Sequence, residues 1–242
     1  MEETINVDIS FFIPCLNEED NIGKTIQSVI DVMKNMNMKY EILVVDDNSS
    51  DNTIEKVNEE INKNKEVKIN LIENTATRGL GRNYFLASHK AIGKHYMLIN
   101  GDAAETNETI RDIVSETGNA DMIIPYFGKN DTRVLFRRLL SITFTFLVNL
   151  LSGNKIKYYN GPVLHRTENV RTFRSETIGF AYQAELICYL LNENTTYLET
   201  QVENSDREKG VSKAFTIKNI LSVANALFHI LLRRIVYLIY RV

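Results

Sequence analysis

The chain predicts an α/β fold, a mostly parallel sheet with helices on both faces. Three observations carry this. In the first half, short apolar runs rich in β-branched residues alternate with segments of helical periodicity. Clusters of Asn, Ser, Asp and Gly punctuate them. Asp46, Asp47 and Asp102 all lie at the carboxyl ends of predicted strands, and open parallel sheets bind ligands beyond those ends.

Taken in order, "VDISFFIP" (7–14) reads as a buried strand. "LNEEDNIGKTIQSVIDVMKNM" reads as a helix, with Ile22, Ile26, Val29, Ile30 and Met33 on one face. Glu18, Glu19 and Asp20 are placed in its first turn, where the helix dipole favours acids. "YEILVVDD" (40–47) is a second strand, and Asn52 with Glu55 offers a capping box for the helix after it. "VKINLIEN" (67–74) is a third strand. "RGLGRNYFLASHKAI" is a glycine turn opening a third helix. "HYMLIN" and "ADMIIPY" (120–126) are the fourth and fifth strands, and "KYYNGPVLHRTE" (157–168) leads into another.

The second half is more apolar. "RVLFRRLLSITFTFLVNLLSG" (133–153) and the closing "IKNILSVANALFHILLRRIVYLIYRV" are long helices studded with arginine. The uncharged stretch Leu139–Leu151 falls short of the roughly 17–25 residues of a membrane span. Arg233 and Arg234 interrupt the last helix, which is costly inside lipid. Apolar helices with basic groups beside them fit the membrane interface. The alternatives are ordinary core helices or a homodimer contact.

With 242 residues, 44% of them apolar, the chain can bury a sizeable core. A net charge of −3 gives no global pull toward nucleic acid. Cys15 and Cys188 make neither a disulfide framework nor a metal site. The first residues lack the basic and apolar stretches of a signal peptide, so a cytoplasmic location is expected.

Several short stretches carry chemistry. In "VVDDNSSDNT", Asp46 and Asp47 either accept from a nucleobase N–H and a ribose hydroxyl or hold a turn. In "TRGLGRN", helix-start amides with Arg78 or Arg82 suit a diphosphate, or the segment is a tight turn with surface arginines. It is not the dinucleotide fingerprint, since Tyr84 stands where the third glycine belongs, which argues against a nucleotide-dependent oxidoreductase. In "NGDAAET", Asp102 can approach a hard cation carried by phosphates, because magnesium often takes one or two carboxylates plus phosphate oxygens. Thr106 or Asn107 can cap the next helix without it. Glu185 lies in an apolar helix, where an unpaired carboxylate is costly. Arg207, Lys209 and Lys213 surround Gly210 in a basic loop suited to phosphate, or to solvent.

In this order the stretches "FFIPCLNEEDNI", "YEILVVDDNSSDNT", "TRGLGRN", "MLINGDAAET", "YYNGPVLHRT", "GFAYQAELI" and "REKGVSKA" resemble family 2 glycosyltransferases of the GT-A (Rossmann-like) fold. Within that family they most resemble the branch that includes dolichol-phosphate mannose synthase and its bacterial polyprenyl-phosphate relatives. The resemblance implies a GT-A domain over 1–214, with a nucleotide-binding half to about 127, an acceptor half to 214, and a helical tail over 215–242. It implies inverting sugar transfer from a UDP- or GDP-sugar to a polyprenyl-phosphate or other lipid-linked acceptor, in polysaccharide or glycolipid synthesis, on the cytoplasmic membrane face. A soluble saccharide acceptor and an inactive nucleotide-binding scaffold are the alternatives. Pro14, Asn17 and Glu18 would line the nucleotide pocket, Asp46 and Asp47 would meet base and ribose, and Gly79 and Gly81 would shape the adjoining turn. Asp102 matches the first acid of the Asp-x-Asp motif, and Arg207, Gly210, Ser212 and Lys213 match a loop that closes on the diphosphate. The motif's last acid is Ala104 here. Either Asp102 holds Mg2+ or Mn2+ with phosphate oxygens, or Glu105 replaces the lost ligand, or no metal is used. A hydroxyl acceptor would need Glu105 or Glu185 as base, whereas a lipid phosphate, already ionised, needs none. Arg133, Arg137 and Arg138 are the candidate grip on that phosphate.

Overall fold

The computed structural model describes residues 6–128, 131, 133–173, 179, 181–203 and 217–240. Its elements run β1 Ile9–Cys15, α1 Ile22–Met33, β2 Tyr40–Asp46, α2 Thr53–Lys63, β3 Lys68–Glu73, α3 Leu80–Ser88, β4 His95–Leu98 and α4 Asn107–Ser115. There follow β5 Met122–Phe127, α5 Leu135–Ser152, β6 Leu164–Arg166, α6 Thr167–Thr172, α7 Tyr182–Asn192, β7 Tyr197–Val202 and α8 Ile217–Ile239.

Seven described strands form one sheet in the order β3-β2-β1-β4-β6-β5-β7. The pairs β1–β2, β1–β4, β2–β3 and β5–β7 are parallel, while β6 runs antiparallel to both neighbours. The predicted α/β class and parallel sheet therefore hold. β7 was not expected, because Glu199, Thr200 and Gln201 deny "YLETQV" the apolar run of a central strand.

Side-chain alternation builds two cores. Ile9, Phe11, Ile13 and Cys15 face the apolar sides of α1 and α4. Phe12, between them, points the other way, to Tyr84 of α3, Tyr96, and Tyr182 of α7. Tyr84 lies 5.7 Å from Phe12, 4.9 Å from Tyr96 and 4.7 Å from Tyr182, ring centre to ring centre. The Tyr96 hydroxyl donates to the Tyr84 carbonyl at 2.9 Å, so α3 is tied to the sheet by a bond as well as by ring packing.

Two expected helix starts differ. α1 begins at Ile22, so Glu18, Glu19 and Asp20 precede it. Asn52 makes no side-chain cap on α2, because its backbone and side-chain amides both donate to Glu19. Thr106 does cap α4, accepting from the Thr109 amide at 3.1 Å.

Helix α8 packs against α5 and α7. The Arg233 guanidinium sits 4.4 Å above the Phe173 ring, and Arg234 approaches Gly153, where an added Cβ would meet its guanidinium at 3.0 Å. The arginines thus turn inward, and Leu221, Phe228, Ile235, Val236 and Ile239 are exposed. α5 likewise exposes Leu135, Leu139, Ile142, Phe146 and Leu150, a stripe at helical spacing. By length and composition alone, α5 and Leu221–Ile239 each suffice to cross a membrane, more than the sequence reading allowed.

His165 of β6 is fully buried, and neither ring nitrogen has a hydrogen-bond partner among the described residues. Burial pulls its pKa down to about 3. The unfolded chain protonates this group near an ordinary imidazole value of about 6.5, and the folded chain does not. Its contribution to stability is therefore full above about pH 6.5 and is lost as pH falls toward 3. In urea unfolding, His165→Leu should reduce the stability lost between about pH 7 and pH 5 by about 1–2 kcal/mol. An equal loss in both proteins would exclude this residue as a source of acid sensitivity.

Candidate active site

The ends of β2 and β4 flank the end of β1. Cys15 stands opposite Asp46 in the β1–β2 register, and the Ile99 amide donates to the Phe12 carbonyl at 2.9 Å. At Gly101 an added Cβ would lie 2.5 Å from the Pro14 carbonyl oxygen. Only glycine lets the chain leaving β4 pass this close to half-buried Pro14.

Loops 16–21 and 47–52 are stitched together. Asn17 adopts φ +57, and its Oδ1 accepts the Ser50 amide at 2.8 Å. Its own amide donates to Ser49 Oγ at 2.9 Å. The Glu18 amide donates to Thr53 Oγ1 at 2.8 Å, and Asp51 accepts the Glu19 amide at 3.2 Å. Asp46, 1% exposed, accepts the Asn48 and Ser49 amides at 3.1 and 2.9 Å and the Ser49 hydroxyl. It holds the turn, one of the two roles the sequence left open.

Asp47 reaches the other way. It accepts the Arg78 amide at 2.8 Å, the Gly79 amide at 2.9 Å and Asn74 Nδ2 at 3.0 Å. Burial alone would raise its pKa. The bonds from the Arg78 amide, Asn83, the Gly79 amide and Asn74 outweigh that and hold it below the usual carboxylate range. The amides of Arg78 and Gly79, just before α3, thus serve Asp47, while the Arg78 and Arg82 side chains are exposed. Gly79 takes φ +90 as the N-cap, a conformation that favours glycine, and Gly81 is buried in the first turn.

Asp102 sits in the turn after β4, and its Oδ1 accepts the Ala104 amide at 3.2 Å. Ala103 has φ +55 and donates its amide to Thr25 Oγ1 at 3.0 Å. Glu105, expected as a stand-in metal ligand or a base, is turned back into this loop. Its two oxygens accept the Asn100 amide at 3.1 Å and Asn100 Nδ2 at 2.7 Å. Burial pushes its pKa up to about 7, against the lowering effect of those bonds. Among the described residues no three His, Cys, Asp or Glu side chains gather to hold a metal. Asp102, in the turn after β4, is the carboxylate here of the kind that hard cations such as Mg2+ or Mn2+ take alongside phosphate oxygens.

Glu185 lies in the first turn of α7, 1% exposed in the core on the α3 side of the sheet. Next to it, Gln183 Nε2 donates to the Gly161 carbonyl, fastening α7 to "NGP". Arg133 is committed elsewhere. It pairs with Asp131 at 2.7 Å, donates to Tyr158 at 3.0 Å and stacks 4.3 Å over Phe127. It braces the entry to α5, and Arg138 Nε also lies 3.7 Å from Asp131. Arg133 and Arg138, two of the three arginines considered for a phosphate, thus both lie against Asp131. Arg207, Gly210, Ser212 and Lys213 lie outside the described residues. Sequence reasoning missed Thr25, Asn74 and Asn100, which hold the Asp47 and Asp102 turns; only the polar run Asn100-Gly101-Asp102 after an apolar strand hinted at one of them.

The model of glycosyl transferase family 2 matches residues 10–177. The dolichol-phosphate mannosyltransferase of Pyrococcus furiosus is 27% identical over 214 residues, covering 85% of this chain and 58% of that protein. The undecaprenyl-phosphate 4-deoxy-4-formamido-L-arabinose transferase of Proteus mirabilis is 26% identical over 238 residues, covering 90% of this chain and 66% of that protein. The chain therefore spans less than two thirds of these curated relatives. Among solved structures, a mannosyltransferase from Pyrobaculum calidifontis in complex with GDP-Man and Mn2+ superposes with a TM-score of 0.66 at 15% identity, over 96% of this chain and 65% of that one. Glucosyl-3-phosphoglycerate synthase from Mycobacterium tuberculosis, with Mn2+, UDP and glucosyl-3-phosphoglycerate, gives 0.62 at 14% identity, over 94% and 80%. At such identities the structural likeness bears on the fold alone, and it agrees with the GT-A architecture. The family match spans β1 through α6 and takes in the Asp46, Asp47 and Asp102 turns, and on that ground the chain belongs to glycosyl transferase family 2.

Proposed function

We propose that the chain is an inverting glycosyltransferase that moves a sugar from a UDP- or GDP-sugar to a polyprenyl phosphate at a membrane surface. The observation that carries the transferase reading is the convergence of the Asp46, Asp47 and Asp102 turns on the end of β1, with Asp102 as the acid of the "NGD" turn. The lipid acceptor is supported by the exposed apolar faces of α5 and α8 and by the polyprenyl-phosphate relatives. Cytoplasmic placement and membrane contact belong to this reading.

In the reaction, an acceptor phosphate oxygen attacks the anomeric carbon from the face opposite the leaving group. The bond from that carbon to the β-phosphate oxygen breaks, and its electron pair leaves with the nucleoside diphosphate. The configuration inverts. Loops 16–21 and 47–52, with Pro14, Asn17, Glu18, Asp46 and Asp47, shape the nucleoside side of the site. Asp102 would hold Mg2+ or Mn2+, which, when bound, neutralises charge developing on the diphosphate. Arg207 and Lys213 would add positive charge there. An ionised acceptor phosphate requires no base. Glu185 would serve as base only for a hydroxyl acceptor, and its burial among apolar side chains favours the phosphate.

Calorimetric titration of UDP and GDP with and without Mn2+ tests the donor site. We expect Mn2+ to strengthen binding of one nucleotide, and Asp102→Ala to remove that gain, weakening binding roughly ten- to a hundredfold, the worth of a charge-assisted contact. Binding of neither nucleotide would end the transferase reading for these donors.

Flotation with anionic vesicles tests the surface. The wild type should float, and the pair Ile142→Glu with Phe146→Glu should lower partitioning about a hundredfold, since each buried apolar side chain is worth about 1.5 kcal/mol or more. A wild-type protein that ignores vesicles and glycosylates only a soluble acceptor would overturn the lipid assignment.

A further inference from the structure

The turn that carries Asp102 is held in a strained shape. Ala103 lies in the left-handed region at φ +55, which costs a non-glycine residue of order 1 kcal/mol or more and persists only where its surroundings over-determine it. Three contacts do so. Thr25 Oγ1 of α1 accepts the Ala103 amide at 3.0 Å, and Asp102 Oδ1 accepts the Ala104 amide at 3.2 Å. The third is a two-pronged clamp: Glu105 takes the Asn100 amide on one oxygen at 3.1 Å and Asn100 Nδ2 on the other at 2.7 Å. The clamp closes the base of the loop on either side of Asp102, directly beyond the Gly101–Pro14 contact.

Resting on the transferase reading above, we infer that Glu105 is a positioning residue that acts through Asn100 to hold Asp102, rather than a second metal ligand. With Ala104 in place of the motif's last acid, one carboxylate must meet the metal and the diphosphate. A lone ligand on a loose turn would have to order itself as charge develops on the leaving diphosphate. A clamped turn presents it already in place. A carboxylate suits the clamp because it accepts two donors at once with charge-assisted bonds. Gln keeps one acceptor and sets an N–H₂ group against the second donor.

The test combines a double-mutant cycle at Asn100 and Glu105 with hydrogen exchange at the Asn100 amide in the ligand-free protein. We expect Glu105→Ala and Asn100→Ala each to lower kcat about tenfold with donor KM within about twofold, because position matters most when charge develops in the transition state. The double variant should be no worse than either single one, as for two halves of one device. Glu105→Asp, too short to span both donors, should not restore the rate, whereas Glu105→Gln should fall between alanine and wild type. The Asn100 amide should exchange slowly in wild type and faster in Glu105→Ala.

Additive losses, or a Glu105→Ala that weakens Mn2+ binding as Asp102→Ala does while Asn100→Ala spares it, would overturn the clamp in favour of direct ligation. A wild type without turnover would remove both the transferase reading and the positioning role. Slow exchange at Asn100 would then still report the clamp as a structural feature, and fast exchange in an active wild type would sink the clamp alone.

Discussion

A carboxylate taken out of water must be given donors, and two stand side by side where β2 ends, Asp46 as its last residue and Asp47 just after it. Asp46 and Asp47 are 1% and 7% exposed, and alternation along the strand sends them in different directions. Asp46 gathers the amides of its own turn, and Asp47 gathers those at the start of α3. Much of the site's outline follows from satisfying these two charges. The loop after β1 is laced to the turn Asp46 holds, and Gly79 accepts an unusual backbone conformation so that its amide can reach Asp47. Leaving such a carboxylate unsatisfied would cost more than several surface contacts return.

The Asp102 turn uses the same logic with a different result. Its strained alanine, its threonine anchor from α1 and its Asn–Glu clamp all spend polar groups on shape. Chemistry at the site then falls to few side chains, and their placement is fixed before any ligand arrives. Electrostatic stabilisation of a leaving diphosphate depends on such preorganisation, because dipoles that must reorient at the moment of reaction return part of what they give.

The architecture was legible because it rests on periodicity. Alternating β-branched runs and helical stripes identify β1 to β5 and their helices without any contact being known. β7 escaped because Glu199, Thr200 and Gln201 break its apolar run, and the antiparallel course of β6 is not written in so short a run. In the site, Asp102 was visible from its place after a strand. The direction of Glu105 was not, since three residues of sequence do not say which way a side chain turns. Thr25 lies 75 residues from the Asn100 carbonyl to which it donates, a separation no local pattern spans. Arg133 is instructive in the opposite sense: Asp131 stands two residues before it, so its partner could have been suggested by sequence alone.

Helices α5 and α8 turn the usual amphipathic arrangement around. On α8, Arg233 and Arg234 lean onto the body, while Ile235, Val236 and Ile239 face outward. Apolar side chains that are exposed in the folded chain and exposed again when it unfolds add almost nothing to the difference between those states. A selection for thermal stability or for high expression would therefore be blind to Ile142, Phe146 and Leu150, or would trade them for polar residues to gain solubility. A selection for the reaction would defend them. Stability data and activity data on the same library would rank these positions in opposite order, and the outer face would stand out as the part of the molecule whose sequence folding does not explain.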